Sequence, residues 1–397
     1  MCWKRQDYRK SRVSFQSEIK HRIHVGLGGS ALWPALAIDA LTRDLAKVDV
    51  HVVSNIDGVA LEQAFAACDP ETTMVAVASK TFTTIETMTN AESALKWLSE
   101  GGVDDPSGRV VALTASPEKA VEWGVDETRI LPFKDTVGGR YSLWSSIGFP
   151  VALAIGWQEF EEFLAGAQAV DLHFQNADGR ANLPLRAAFA DLYYTRVRGC
   201  QTRAVFAYDE RLDLLPDYLQ QLEMESNGKS VNTEGDPVDG PTAPITWGGV
   251  GTDAQHAVFQ LLHQGTHLIP VDFVASIAPG DDLDPAHHRI LLTNCFAQGA
   301  ALMAGEESDA NGLGAARNFE GNRPSATMLC DDLDAATLGA LIAFHEHRTF
   351  ANAMLMGINP FDQFGVELGK QMANAIEGGG QSFDASTEVL LGQAGLA

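Results

Sequence analysis

Short apolar runs rich in valine alternate along the chain with longer stretches of helical spacing. Such runs are typical of strands that are buried on both faces of a parallel sheet. The alternation predicts an α/β fold, with mainly parallel sheets covered by helices. Ligands of such sheets bind at the carboxyl ends of the strands, so the loops after the runs are candidate sites. The runs occupy residues 48–53, 73–78, 109–113, 202–208 and 267–274.

Two α/β blocks follow an N-terminal stretch of different composition. Residues 1–22 carry seven basic and two acidic residues without an amphipathic period, which predicts an appendage ahead of the first domain. A polar, turn-rich stretch near residues 175–179 separates the two blocks. The predicted domains are therefore residues 23–175 and residues 176–397, the second carrying the C-terminal helices.

Helical patterns connect the runs in the second block. We expect helices over residues 187–198 and in a long segment that reaches Glu225. The glycine-rich residues 248–251 are expected to form a flexible loop before a helix capped by Thr252 or Asp253. Residues 377–380 are rich in glycine and are expected to end the last core helix.

The charge and cysteine content exclude several classes of function. The chain of 397 residues has 28 lysines and arginines against 52 acidic residues, a formal charge of −24 that disfavours nucleic acid and anionic membrane surfaces as partners. The five cysteines are scattered, which argues against a disulfide framework or a zinc ribbon and indicates a reducing cytoplasm. No stretch approaches the length of a membrane span, and the basic N-terminus lacks the apolar segment of a secretory signal. We expect a cytoplasmic protein.

Two loops after predicted strands have the composition of ligand sites. Residues 26–30 (GLGGS) can bring backbone N–H groups close to a ligand, but they lack the full dinucleotide spacing, so a turn or a sugar-binding loop is favoured. Residues 79–87 (SKTFTTIET) bring hydroxyls, backbone N–H groups and one ammonium to a strand-to-helix turn. A phosphate monoester binds well to that combination. The alternative is a helix-capping cluster with a solvated lysine.

A possible general base lies near the end of the long helical segment. Gln221 and Glu225 are four residues apart on one helical face, and the helix is expected to end near Gly228. A merely solvated glutamate is the alternative. The sequence of residues 228–230 imitates the end of a P-loop, but Glu223 stands where that motif needs glycine, which excludes nucleoside triphosphate binding there.

Polar residues at helical spacing also occur further along the chain. His256, His263 and His267 lack the glutamate that a zincin helix requires, and His345 and His347 are similarly loose, so no metal site is predicted. Gln363 and Lys370 share one helical stripe with Glu367. Such a stripe usually faces solvent, unless its helix lines a cleft.

Eight ordered segments resemble the phosphoglucose isomerase family. The resemblance spans about residues 22–375 and implies two sugar-isomerase (SIS-type) doubly wound domains, in agreement with the two predicted blocks. The family usually carries a long helical segment before the first of these segments, and this chain is expected to lack it. The segments are GLGGS at 26–30, SKTFTTIET at 79–87, VGGRYSLWSSIG at 137–148, QQLEMESNGK at 220–229, GTDAQHA at 251–257, HQGT at 263–266, GNRPS at 321–325 and DQFGVELGK at 362–370.

The resemblance also implies a reaction and its residues. It implies reversible isomerisation of glucose 6-phosphate and fructose 6-phosphate through a cis-enediol(ate), without a metal or organic cofactor, in a homodimer whose histidine reaches the partner's site. Catalytic roles fall on Glu225 as the base, Arg140 near the enediolate, and His256 and Lys370 in ring opening. Substrate binding falls on Gly29, Ser30, Ser79, Lys80, Thr81, Thr84, Gln221 and Gln363.

Two other functions are compatible with the same domains. One is a non-catalytic sugar-phosphate sensor, which would keep the residues 79–84 but need not keep a base, a histidine and a lysine together. The other is an inactive, truncated isomerase. The joint presence of Glu225, His256, Arg140 and Lys370 favours the enzyme.

Overall fold

Two parallel sheets organise the computed structural model, which describes residues 19–42, 46–307, 314–379 and 382–396. Most of the predicted appendage at residues 1–22 lies outside the described residues, and the first strand already begins at His21. The strands are β1 (His21–Gly26), β2 (Asp49–Val53), β3 (Thr73–Ala78), β4 (Val110–Thr114), β5 (Ile130–Pro132), β6 (Thr202–Tyr208), β7 (Ile245–Val250), β8 (Val271–Ser276) and β9 (Ser325–Cys330).

The helices cover both faces of these sheets. They are α1 (Gly29–Thr42), α2 (Gly58–Ala67), α3 (Ile85–Glu100), α4 (Pro117–Trp123), α5 (Phe149–Ile155), α6 (Trp157–Asn176), α7 (Leu183–Leu192), α8 (Leu215–Gln220), α9 (Gly251–Gln264), α10 (Pro285–Ala304), α11 (Ala335–Met356), α12 (Glu367–Gly378) and α13 (Ala385–Ala394). Two π-helical turns span Tyr193–Val197 and Gln221–Glu225. Short 3₁₀ turns span Pro70–Thr72, Ser107–Arg109, Glu127–Arg129, Gly139–Trp144, Ser146–Gly148, Glu210–Leu212, Gly314–Arg317 and Phe364–Val366.

The first sheet is parallel, with the strand order β2-β1-β3-β4-β5. The order reverses between β1 and β3, and the two strands that meet there are almost wholly buried. A reversal of this kind opens a crevice at the carboxyl ends of the two central strands. Gly26 pairs with Ala78 at those ends, so the loop after β1 and the loop after β3 leave the sheet side by side.

The second sheet is also parallel, with the order β7-β6-β8-β9. Strand β7 contains Gly248 and Gly249, which were predicted to lie in a flexible loop. That prediction is wrong. Gly248 pairs with Val205, and a Cβ at Gly248 would lie 1.8 Å from the Val205 carbonyl oxygen. Here glycine permits close strand pairing. The next helix starts at Gly251, before the predicted caps at Thr252 and Asp253.

One apolar cluster joins the two sheets. It includes Trp33 of α1, Val205 of β6, Val274 of β8, Phe163 of α6 and Leu338 of α11. Helices α6 and α11 approach very closely, since a Cβ at Gly339 in α11 would lie 2.0 Å from the Phe163 carbonyl oxygen. The α/β class with mainly parallel sheets is therefore confirmed. Within the described part of the chain, no helix is both long and apolar enough to cross a membrane.

Candidate active site

The loop after β3 presents hydroxyl groups at the crevice of the first sheet. Ser79 is buried, and its Oγ lies 3.1 Å from Thr84 Oγ1, while Thr83 Oγ1 donates to Thr81 Oγ1 over 2.9 Å. Lys80 and Thr81 are exposed. Thr84 occupies the N-cap position of α3, but its side chain makes no capping hydrogen bond. The first N–H groups of α3 therefore have no side-chain acceptor at the cap, which suits an anionic ligand.

Phe82 holds this loop in an unusual conformation. Its φ is +52°, in the left-handed region that non-glycine residues seldom adopt. The ring is buried in the apolar cluster of the first sheet and meets Trp123 edge-on, with ring centroids 5.9 Å apart. Burial of the aromatic ring offsets the backbone strain, so the hydroxyls on either side are held at the sheet edge.

Glycines bring three distant segments together beside this loop. Gly28 has a φ of +55°, and a Cβ there would lie 2.9 Å from Gln221 Nε2. A Cβ at Gly29 would lie 2.2 Å from the Gly139 carbonyl oxygen and 2.7 Å from the Arg140 nitrogen. Only glycine allows these approaches without a shift of backbone. Gly29 and Ser30 thus begin α1 directly against the Arg140 segment.

Trp33 and His24 fix the start of α1. Trp33 is buried and donates from Nε1 to the Gly139 carbonyl over 2.9 Å, while its ring meets Tyr218 edge-on. His24 Nε2 lies 2.6 Å from the Ser30 carbonyl oxygen. Burial, with a contribution from nearby Arg22, lowers the pKa of His24 to about 3, so the ring is neutral and can donate one N–H to that carbonyl.

Arg140 lies at the centre of the site, almost fully buried. Its Nε donates to Ser226 Oγ over 2.7 Å, and its Nη2 donates to the carbonyls of Pro360 and Asp362. Its Nη1 lies 3.0 Å from Glu225 Oε1 and donates to Gln363 Oε1 over 3.1 Å. The backbone and Ser226 therefore fix one side of the guanidinium, and the partners of Nη1 among the described residues are side chains.

Glu225 lies at the end of the π-helical turn that continues α8. Its Oε2 accepts a hydrogen bond from Gln221 Nε2 over 2.8 Å, and about a quarter of its side chain (23%) is exposed. Two of the roughly four lone-pair directions of the carboxylate are thus used, and the others can accept a proton. The predicted pair of Gln221 and Glu225 on one helical face is present in the structure, in π-helical rather than α-helical form.

Glu223 anchors the same turn from its opposite side. This buried carboxylate pairs with Arg203 of β6, and its Oε2 accepts from Thr246 Oγ1 of β7 over 2.7 Å. Because Glu223 points into the second sheet, Gln221 and Glu225 point out toward Arg140. In the sequence, Glu223 stood out only as a departure from a P-loop, and this positioning role was not predicted. The signal available in the sequence was a second acidic residue two positions before the candidate base.

Further contacts that the sequence did not predict support the arginine and the base. Tyr141 Oη lies 2.9 Å from Ser226 Oγ, and burial raises the pKa of Tyr141 to about 12, so its hydroxyl is neutral. Lys229 donates from Nζ to the carbonyls of Glu225 and Ser226, which satisfies the end of the helical segment. A cavity of about 430 Å³ opens beside Glu225, Lys229 and Gln363.

The remaining two candidate residues lie elsewhere on the chain's surface. His256 is exposed in the first turns of α9, and Lys370 is exposed in α12. Across the ranges that the structure covers, no hydrogen bond or ion pair joins either side chain to Arg140 or Glu225. A single chain therefore brings together Gly29, Arg140, Gln221, Glu225 and Gln363, with the residues 79–84 on the neighbouring loop, but not His256 or Lys370.

A family model described as phosphoglucose isomerase matches residues 11–391. The chain belongs to the phosphoglucose isomerase family. A glucose-6-phosphate isomerase of Erythrobacter litoralis (strain HTCC2594) is 82% identical over 380 residues, which cover 96% of this chain and 74% of that protein. One from Novosphingobium aromaticivorans is 74% identical over 381 residues, with the same coverage of both chains.

A solved structure carries the same likeness. The crystal structure of a glucose-6-phosphate isomerase from Chlamydia trachomatis D/UW-3/Cx aligns with a TM-score of 0.88 at 33% identity, and covers 99% of this chain and 76% of that one. The family resemblance of the eight sequence segments is confirmed. The family match begins at residue 11, and the domain boundaries at residues 23 and 176 stay predictions.

Behind the Arg140 segment, Glu346 is expected to give the stability of the fold a pH dependence. Its Oε2 accepts from Trp144 Nε1 over 2.7 Å, and burial raises the pKa of Glu346 from 4.5 to about 8. The folded protein binds this proton more tightly than the unfolded chain does, so the free energy of unfolding falls as pH rises between these values. We expect a loss of roughly 2–4 kcal/mol from pH 5 to pH 8, less than the full shift in pKa would give, because Glu346 is half-buried rather than fully buried.

Urea denaturation of Glu346→Gln and of the parent across this pH range measures that contribution. The amide keeps the acceptor for Trp144 but does not ionise. The free energy of unfolding of the variant should therefore not fall with pH in the way that Glu346 causes, and the variant should be more stable than the parent at pH 8. Glu162→Gln, on the exposed face of α6, is the matched control and should follow the parent. Parallel curves for Glu346→Gln and the parent would contradict the assignment.

Proposed function

We propose that this chain catalyses the reversible isomerisation of glucose 6-phosphate to fructose 6-phosphate, through a cis-enediol(ate), in glycolysis and gluconeogenesis. The observation that carries the proposal is the placement of Glu225. Its carboxylate lies between the Gln221 amide and the Arg140 guanidinium, beside the cavity at Gln363. A base held between two fixed donors has the geometry that proton transfer between adjacent carbons requires.

In the proposed reaction, Glu225 takes the proton from C2 of the open-chain aldose and returns it to C1. Negative charge develops on the enediolate oxygens during this transfer. Arg140 is positioned to stabilise that charge, because its guanidinium stays protonated and the partners of Nη1 among the described residues are the side chains of Glu225 and Gln363. Gln221 and Gln363 orient the base and the sugar.

The residues 79–84 are proposed to bind the 6-phosphate, with Gly29 and Ser30 along the sugar. Ser79 and Thr84 supply hydroxyls, Lys80 and Thr81 lie exposed at the mouth of the loop, and α3 begins immediately after it. The strongly acidic protein needs a local set of donors to capture a dianion.

His256 and Lys370 are proposed to open the sugar ring. Both side chains are exposed in one chain, which fits a homodimer in which His256 completes the active site of the partner. An imidazole can move a proton between the C1 hydroxyl and the ring oxygen near neutral pH. We propose a cytoplasmic homodimer with shared active sites.

A coupled assay of the purified protein with fructose 6-phosphate tests the activity. Size exclusion of the same preparation measures the mass of the protein. Turnover at the mass of a dimer supports the enzyme. Binding of the sugar phosphate without turnover would instead favour the sensor, and a protein that neither binds nor turns over would favour the inactive form.

Replacement of Lys80 and Thr84 by alanine tests the phosphate site. Contacts to the phosphate exist in the ground state and in the transition state alike, so KM should rise at least roughly 10-fold while kcat falls much less. Steady-state kinetics on fructose 6-phosphate gives both constants. Lys96→Ala, on the exposed face of α3, is the control for loss of one positive charge. An unchanged KM in the double variant would remove the assignment.

A further inference from the structure

Three potential metal ligands meet near the amino ends of β1 and β2, at the opposite end of these strands from the candidate active site. His21 is the first residue of β1, His51 lies in the middle of β2, and Cys68 follows the last residue of α2. Their ligand atoms all lie within 4.8 Å of one another, and all three residues are partly buried. The residues share the sheet face that α2 covers, because His21 and Ile23 alternate with Arg22 along β1 and Ile23 pairs with His51.

Two nitrogens of this cluster lack hydrogen-bond partners. His21 Nδ1 and His51 Nε2 are both buried, and neither is hydrogen-bonded to any residue that the structure describes. Buried polar groups are nearly always paired, so an unpaired nitrogen in each of two adjacent imidazoles is unusual. A cation bound between the rings would give at least one of these nitrogens a partner.

The donor set selects the class of cation. Two imidazole nitrogens and one cysteine sulfur suit Zn²⁺ and related divalent transition metals, whereas Mg²⁺ and Ca²⁺ prefer oxygen ligands. Bond lengths of roughly 2.0–2.3 Å around tetrahedral Zn²⁺ place ligand atoms about 3.3–3.8 Å apart. Ligand atoms that start up to 4.8 Å apart would therefore have to approach one another by about 1 Å to bind the ion. The Asp49 carboxylate lies 3.7 Å from His21 Nδ1 but outside the group of three, so its side chain would have to move to reach the ion.

We propose that His21, His51 and Cys68 form a binding site for one zinc-class metal ion, with water or the Asp49 carboxylate at the fourth position. The ion would tie β1 and β2 to the end of α2. Five residue steps along β1 separate His21 from Gly26, a distance of roughly 16 Å, so the site is structural and distinct from the proposed isomerase chemistry. Burial raises the pKa of Cys68 to about 11, so the thiol must release its proton to the solvent when the metal binds.

Cobalt substitution of the complete, chelator-treated protein tests the site. The parent should bind one Co²⁺ per chain at this cluster and give the thiolate-to-metal charge-transfer absorption and the intense visible bands of four-coordinate Co²⁺. Zn²⁺ should displace the Co²⁺, abolish the absorption and raise the melting temperature in a concentration-dependent way. Cys68→Ser and, independently, His51→Asn should lose the absorption and the stabilisation.

Cys330→Ser is the matched control, since Cys330 is another partly buried cysteine, at the end of β9. It should retain the charge-transfer band and the Zn²⁺-dependent shift in melting temperature. Circular dichroism of the metal-free proteins verifies that each variant is folded. Because two different ligands are replaced separately, the test still stands if one of these variants misfolds. Absence of the thiolate band in the parent, or its persistence in folded Cys68→Ser, would overturn the proposal.

Discussion

Glu225→Gln is expected to lower kcat for isomerisation roughly 10²–10⁴-fold, the range typical of losing a general base, with little change in KM. Glutamine keeps the shape of the side chain but has no basic oxygen to receive the C2 proton. Its amide oxygen can accept from Gln221 Nε2 or from Arg140 Nη1, so part of the local hydrogen bonding is retained. Steady-state kinetics in both directions measures the effect.

Hydrogen exchange separates the proton transfer from the other steps. In deuterated water the parent should exchange the C2 hydrogen of glucose 6-phosphate, and Glu225→Gln should exchange it more slowly by the same factor as kcat. Glu62→Gln, an exposed substitution in α2, should behave like the parent. If Glu225→Gln exchanges and isomerises at the parent rate, the base is another residue.

Strands that are buried on both faces were the most predictable part of the fold. The runs at residues 73–78 and 202–208 coincide with β3 and β6, because a continuous apolar run is stable only between two layers of helices. The apolar run at residues 267–274 begins four residues before the strand that the structure shows there. Pro270 has no N–H to donate, and the strand begins at Val271.

Elements that depend on close packing could not be predicted from local pattern. Glycines in β7 suggested a loop, although they are needed where Gly248 meets the Val205 carbonyl. The helix predicted over residues 187–198 is divided, with α7 ending at Leu192 and a π-helical turn continuing to Val197. A π-helical turn has the same composition as an α-helix, so only tertiary contacts select it.

The candidate site was predictable in its residue types but not in its arrangement. Arg140 is 85 residues from Glu225 and 223 from Gln363 along the chain, and only the packed fold brings their side chains into contact. The same reason hid the cluster of His21, His51 and Cys68, which no short motif connects. Loop motifs such as residues 79–84 were easier to notice in the sequence, because their hydrogen-bond donors are close together along the chain.

The proposed sharing of active sites predicts recovery of activity in mixed dimers. Glu225→Gln and His256→Ala chains should each be nearly inactive alone. In a hybrid, the site that holds the intact Glu225 receives the intact His256 of the other chain, while the second site has neither group. Random pairing makes half of the dimers hybrids, each with one competent site of two, so a co-refolded equimolar mixture should recover about one quarter of the parent activity.

The exposed position of His256 on α9, without a bond to Arg140 or Glu225 in its own chain, motivates this experiment. Mixing Glu225→Gln with the double variant Glu225→Gln/His256→Ala is the control, because no pairing of those chains restores an intact glutamate, and it should stay inactive. Size exclusion must verify that both mixtures are dimeric. A folded, dimeric hybrid that remains inactive would mean that His256 does not cross the interface, and the base and the histidine would then have to act within one chain.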